Sequence, residues 1–223
     1  MNITMTDIEA INERHSVRNY KEDRIEAEKV TLLKEKIDEL NKEGGLHLQF
    51  IEDAGSTYNR LMNRVSGLGS APSVIACVGK DSANLDEKVG YYGEKLVLFA
   101  QKLGLNTCWT GTFNRKNVDA DISSGERMVI CIAIGYGTDQ GTPHRSKDIS
   151  KVSEASGERP EWFEKGVEAA LLAPTAINQQ KFFIILKADD SVEFVDRGGI
   201  LSRVDLGIVK CHFEIGSGRS QAV

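Results

Sequence analysis

Between residues 86 and 104 the apolar side chains Val89, Tyr92, Leu96, Phe99 and Leu103 recur three and four positions apart, and the run stops at Gly104. That spacing places all five on one face of an α-helix, and such a face has to be laid against an apolar partner. The neighbouring sequence supplies the partner. Residues 73–78 before the helix, and 105–109 and 128–134 after it, are compact apolar runs that read as buried strands. A long apolar helix set among short strands commits the chain to a core of helices packed on a sheet.

The rest of the chain fills in around that unit. Thr6 and Glu9 have the spacing of a capping box and open a short helix ending near His15. Residues 26–42 form a second helix, with Val30, Leu33, Ile37 and Leu40 on one face and Gly44–Gly45 as its stop. A strand is expected over 46–51, a short helix over 56–65, and a polar connector over 138–158. Pro160 suits the first turn of a helix that runs through Phe163, Val167, Ala170 and Leu171 to Pro174. Residues 182–186 and 192–195 read as a hairpin, 201–215 as a last apolar helix, and 216–223 as a frayed tail. Helices and strands alternate irregularly, which predicts an α+β fold with a mixed sheet flanked by helices, one domain over 1–223. Each half, 1–150 and 151–223, ends in an apolar helix near a glycine (91–105 and 206–216). Duplication and the ordinary recurrence of apolar helices both account for that echo.

Composition excludes several classes. Lys and Arg number 28 against 33 Asp and Glu, a net charge of −5, so nothing favours a nucleic-acid backbone. No apolar run approaches the roughly 20 residues of a membrane span. The start of the chain (Asn2, Thr4, Thr6, Asp7, Glu9) is unlike a secretory leader. Cys77, Cys108, Cys131 and Cys211 sit in or beside apolar runs with no CxxC, as reduced core thiols of a cytoplasmic protein do. His15, His47, His144 and His212 lack metal-ligand spacing, and no glycine-rich dinucleotide or P-loop motif occurs.

Four polar segments interrupt this framework. Arg14-His15-Ser16-Val17-Arg18 brings two guanidinium forks and a hydroxyl close together, a set that suits phosphate oxygens and equally describes a solvated helix end. The segment 173–180, Ala-Pro-Thr-Ala-Ile-Asn-Gln-Gln, offers amide donors and acceptors after a helix stop, or is a plain loop. In 103–111, a glycine stop, a strand and Thr110-Gly111 leave backbone N–H groups where a ligand could lie, or make a tight helix–strand joint. Finally Gly135-Tyr136-Gly137 and then Arg145 and Lys147 form a second possible clamp for phosphate, or a solvated loop.

Together the four segments resemble the FMN-dependent nitroreductase family. Residues 14–20 resemble its R-x-S-x-R motif, 103–111 its LGL-x-T-C-W-x-G segment, 135–147 its GYG…K-x-R stretch, and 173–180 its A-P-S-x-x-N-x-Q turn. The last of these follows the GYG stretch here, an order like that of a rearranged branch of putative nitroreductases first seen in thermophilic bacteria. Gln180-Lys181-Phe182 stands where typical members have Gln-Pro-Trp. The resemblance implies a nitroreductase-like fold that binds FMN and takes hydride from NAD(P)H to reduce nitroaromatics, quinones or similar electron-poor acceptors. It also leaves open an activated alkene or halogenated aromatic as acceptor, or a flavin-binding sensor or store without turnover. By position, Arg14, Ser16, Arg18, Arg145 and Lys147 would hold the phosphate, with His15 beside them. Pro174, Thr175, Ala176, Asn178 and Gln180 would line the isoalloxazine, and Thr110, Gly111 and Thr112 would offer an N–H to its N5. A homodimer is the family's usual assembly. No general acid or base and no metal is implied.

Overall fold

A computed structural model describes residues 3–54, 71–221 and 223. Among these residues are five α-helices and two sheets. The helices are α1 (Asp7–Glu13), α2 (Ala27–Gly44), α3 (Leu85–Lys102), α4 (Glu161–Leu171) and α5 (Ser202–Ser217). The strands are β1 (Leu46–Ile51), β2 (Ser73–Lys80), β3 (Asn106–Thr110), β4 (Glu126–Gly135), β5 (Ser153–Ala155), β6 (Phe182–Leu186) and β7 (Val192–Asp196). The capping box is formed: Glu9 N–H donates to Thr6 Oγ1 at 3.3 Å and Thr6 N–H to Glu9 Oε2 at 2.7 Å. The short helix expected over 56–65 lies outside the described residues.

The expected mixed sheet is two sheets. The larger is wholly antiparallel, in the order β1-β2-β4-β3. Its central strands are buried on both faces because alternate residues feed different clusters. Ile75, Cys77, Ile130, Ile132 and Ile134 turn toward the main core with α3. Val74, Ala76, Cys131 and Ala133 meet Val17, Phe113 and Val118 on the other side. The smaller sheet pairs β5 with β6 in parallel and β6 with β7 as the expected hairpin. Three-residue β5 and a turn of 3-10 helix (Ile149–Lys151) lie inside the stretch read as connector. Ser153-Glu154-Ala155 has no apolar pattern of its own, and only pairing with β6 makes it a strand.

Helix α3 departs from a one-sided stripe. Val89, Leu96, Val97 and Leu103 face the main core, while Tyr91 and Leu98 pack with Ile11, Ala169 and Cys211 on the opposite side. The helix is therefore enclosed between the sheet and α5. Glycines set how closely α3 and α5 approach. A Cβ on Gly90 would lie 2.0 Å from the Val204 carbonyl oxygen, and a Cβ on Gly207 would lie 2.0 Å from the Glu87 carbonyl oxygen. The two helices thus touch backbone to backbone, each glycine facing the carbonyl three residues before the other. The tail also differs from expectation: Arg219 stacks 3.7 Å over the Trp162 ring, and Gln221 N–H donates to Glu214 Oε2 at 2.8 Å.

Candidate functional site

After α1 the chain leaves the helix at Arg14 and runs extended beside β3. Ser16 bridges Thr107 in parallel, Val17 N–H donates to Thr107 O at 3.0 Å, and Lys21 N–H to Tyr136 O at 2.8 Å. In extended chain alternate side chains share a face. Val17 is therefore driven into the sheet, fully buried, while Arg14, Ser16 and Arg18 line a common space. Strand alternation, not the helical four-residue spacing, brings the two arginines together.

That space has two compartments sharing a wall of Ser16, Arg18, Pro174, Thr175 and Ile177. The polar one, about 350 Å³, adds Arg14, His15, Thr142, Pro143, His144 and Asn178. The apolar one, about 520 Å³, adds Cys108 to Thr112 from the end of β3, Ile130, Ala176, and Ile200, Leu201, Val204, Asp205 and Ile208 at the start of α5. A separate cavity of about 370 Å³ beside β1 and β2 contains none of the residues singled out from sequence.

Arg14, His15, Ser16, Arg18, Thr110, Gly111, Thr112, Pro174, Thr175, Ala176 and Asn178 are thus gathered round one cavity. Arg145, Lys147 and Gln180 are placed behind it. Lys147 Nζ donates to the carbonyls of Gln179 (2.8 Å) and Gln180 (2.7 Å). Buried Gln180 accepts the Lys147 N–H at 2.8 Å and donates through Nε2 to the Arg145 carbonyl at 2.9 Å, and the Arg145 side chain is exposed. These three brace the 175–180 turn. The bracing matters because Ile177 (φ 48°), Asn178 (φ 54°) and Gln180 (φ 44°) are all left-handed. Such backbone is costly for any side chain but glycine and most of all for a β-branched one, and it persists where surroundings over-determine it. Ile177 is nevertheless 83% exposed, at the mouth of both compartments.

Two buried acids that the sequence reading did not single out organise the walls. Glu94, in the middle of α3, accepts the Trp109 Nε1–H at 2.7 Å and meets His212 Nε2 at 2.9 Å, while His212 Nδ1 donates to the Ala169 carbonyl at 3.0 Å. Arg14 Nε is ion-paired with the same carboxylate at 3.6 Å, beyond hydrogen-bond reach, and is a buried donor with no hydrogen-bond partner. Asp205, on the first turn of α5, accepts the Ala176 N–H on Oδ1 and Oδ2 (3.0 and 3.1 Å) and Gln179 Nε2 on Oδ2 (2.8 Å), so it ties the strained turn to the helix. The visible signal was the same for both: an acid set among apolar neighbours on the buried face of a helix.

The electrostatics follow from burial. Desolvation and the Arg14 charge hold the His15 imidazole below its ordinary value, with His144 adding to the effect. Burial pushes Asp205 up to about 6 against the pull of its N–H donors. Burial also raises the Cys108 thiol, opposed by Arg18 and Arg14. All four cysteines are free and buried. Among the described residues no group of three His, Cys, Asp or Glu side chains could hold a metal ion, and no helix is long and apolar enough to cross a membrane.

Known structures share this architecture. A Thermotoga maritima protein solved as a "putative nitroreductase" superposes with a TM-score of 0.69 at 23% identity, over 99% of this chain and 89% of that one. An FMN-dependent nitroreductase from Clostridium difficile (TM-score 0.50, 19% identity) matches 65% of this chain and 96% of its own. A nitroreductase from Exiguobacterium sibiricum, solved in complex with FMN and also titled putative, gives a TM-score of 0.50 at 16% identity, over 67% and 97%. No curated protein matches the sequence. The family described as "Putative TM nitroreductase" matches residues 7–217, nearly the whole chain, and the protein belongs to that family.

Proposed function

We propose that the cavity binds FMN and that the protein is a flavin-dependent oxidoreductase passing hydride from NAD(P)H to a small electron-poor acceptor such as a nitroaromatic or quinone. The observation that carries this is the division of one cavity into a cationic compartment and an apolar one. Arg14, Arg18, His15 and Ser16 present charge and donors suited to a phosphate. Arg14 Nε is buried beside the Glu94 carboxylate without a hydrogen bond, which leaves hydrogen-bonding capacity of that guanidinium unused. The apolar compartment, about 520 Å³ and walled by Trp109, Pro174, Val204 and Ile208, has the volume for a planar heterocycle, and Thr110-Gly111-Thr112 lines it.

In this reading Arg14, Arg18 and Ser16 hold the phosphate, Thr175, Ala176 and Asn178 flank the ring system, and Ile177 and Ile200 roof the open face. The bound flavin supplies the hydride chemistry; the chain supplies orientation and keeps water out. One chain contributes both walls of the cavity, and the protein is read as a homodimer. The reciprocal contacts of Gly90 and Gly207 hold the two segments 1–150 and 151–223 together along α3 and α5. Four reduced, buried thiols fit a cytoplasmic home.

The test is titration of the purified protein with FMN and with riboflavin, followed by NAD(P)H oxidation with and without a quinone. Yellow protein with micromolar or tighter affinity, and turnover that requires acceptor, are expected. A folded protein that ignores FMN at micromolar concentrations refutes the cofactor and the activity together.

A further inference from the structure

Reducing a quinone or nitro group takes a proton as well as a hydride. Among the described residues that line the apolar compartment, one is a carboxylic acid: Asp205. It is 7% exposed, and what surface it keeps is in the cavity lining. Its two oxygens are not equivalent. Oδ2 accepts from both Gln179 Nε2 and the Ala176 N–H, whereas Oδ1 has only the shared Ala176 N–H. The less committed oxygen is the one on which a proton is best accommodated.

We propose that Asp205 is the proton donor of this cavity, delivering from Oδ1 the proton that accompanies hydride transfer to the acceptor. The inference rests on the flavin reading above. With a quinone as acceptor, a bound reduced flavin would supply hydride, that is two electrons and one hydrogen. Negative charge collects on a quinone oxygen, and the O–H bond of Asp205 breaks as the new O–H of the hydroquinone forms. The carboxylate left behind regains its proton from water. The surroundings keep the proton available near neutrality. Burial holds the acid up at about 6, and Asp196 at the end of β7 adds to the push. Other charges on elements packed nearby include Arg18, elsewhere in the lining, and on α3 Glu87, paired with Arg203 (3.3 Å) and Lys210, and Glu94, bonded to Trp109 and His212.

The experiment combines a titration that needs no flavin with single-turnover reoxidation of the FMN-loaded, reduced protein. In the protein without flavin, infrared spectroscopy should show a carboxylic-acid C=O band that titrates near pH 6 and is missing from Asp205→Asn. In the loaded protein, reoxidation by a benzoquinone should slow as pH rises through that value. Asp205→Asn should be roughly 100-fold slower at pH 6 and lose the pH dependence. Ferricyanide, which takes electrons without protons, should reoxidise wild type and Asp205→Asn at equal rates, and Asp205→Glu should recover part of the quinone rate. A wild-type quinone rate that is flat from pH 5 to 8 overturns the proposal without any variant. So does equal slowing with both acceptors, which would make Asp205 only a tether for the turn. Failure to bind FMN at all overturns the function proposed above, and this step with it.

Discussion

Replacing Gly90 with alanine sets two effects of opposite sign against each other. Gly90 is inside α3, where alanine is the better helix former by about 1 kcal/mol. On helix propensity alone the variant would be more stable. The packing argues otherwise. The added Cβ would sit 2.0 Å from the Val204 carbonyl oxygen, 2.9 Å from its carbon and 3.1 Å from the Ile208 nitrogen. All three are backbone atoms of α5, so no rotamer change can clear them. Overpacking of a core costs roughly 1–3 kcal/mol, and a contact with backbone on both sides belongs at or above the top of that range. The net expectation is a loss of about 2 kcal/mol, or a fall in melting temperature of about 4–8 °C for a chain this long. Gly207→Ala should lose a similar amount, since its Cβ meets the Glu87 carbonyl oxygen at 2.0 Å. A small separation of α3 from α5 relieves both clashes, so the double variant should cost clearly less than the sum. Gly157→Ala, with nothing within 4 Å, is the control and should leave stability unchanged or slightly raised. Calorimetry on the four proteins decides the matter. A Gly90→Ala protein that melts at or above wild type would show that the helices do not depend on this close approach, and strictly additive losses would show that no shared separation relieves the two clashes.

Other outcomes follow from the cavity itself. Arg14→Ala should weaken FMN by roughly 10- to 150-fold, the worth of a charge-assisted contact of about 1.5–3 kcal/mol, while riboflavin binding stays nearly the same; equal losses for both flavins would assign Arg14 to the fold. Ile177→Gly relieves a left-handed β-branched residue and should raise stability by about 1 kcal/mol while raising the acceptor KM, seen by melting and by steady-state kinetics. Glu94→Gln should change Trp109 fluorescence and lower affinity for FMN more than for riboflavin, because one carboxylate adjoins both Trp109 and Arg14. For His15 the folded imidazole is held below its unfolded value near 6.5. Between the two values the unfolded chain binds more protons, so stability is level above that window and falls as pH drops through it; His15→Gln should flatten this part of a urea-midpoint profile.

How much of this could be read in the residues varied with the range of the interaction responsible. The capping box of Thr6 and Glu9, the limits of β1 and β6, and the hairpin to β7 were legible because local pattern and turn chemistry decide them. Strand β5 was not, since its three residues become a strand only against β6. The five-residue stripe of α3 was real, but it hid a helix enclosed on both sides, and Gly90 in its middle records the second contact. Within the candidate site, Arg14, Ser16 and Arg18 were identified together by their chemistry, and the extended backbone beside β3, invisible in the residues alone, is what aligns them. Lys147 and Gln180 carried the right polarity yet spend it on backbone carbonyls and amides, while Arg145 enters the same network through its carbonyl and leaves its side chain exposed. Glu94, His212 and Asp205 are buried polar residues on helix faces that are otherwise mostly apolar. A periodicity argument passes over such residues as noise, although burying a charge is costly enough that each needs a compensating partner.

The walls of the cavity come from both ends of the chain: Ser16 and Arg18 follow the first helix, and Val204 and Ile208 belong to the last. Nothing shorter than almost the whole polypeptide can enclose a ligand there. During synthesis the site therefore comes into being only when α5 emerges and docks, long after the larger sheet has its strands. A ligand held between those walls cannot template early folding; it acts as a latch on the finished topology, stabilising the native state by RT ln(1 + [L]/Kd). Cells short of that ligand would carry the same completed fold with its final helix less firmly closed, and α5 is where proteolysis or hydrogen exchange should first register the shortage.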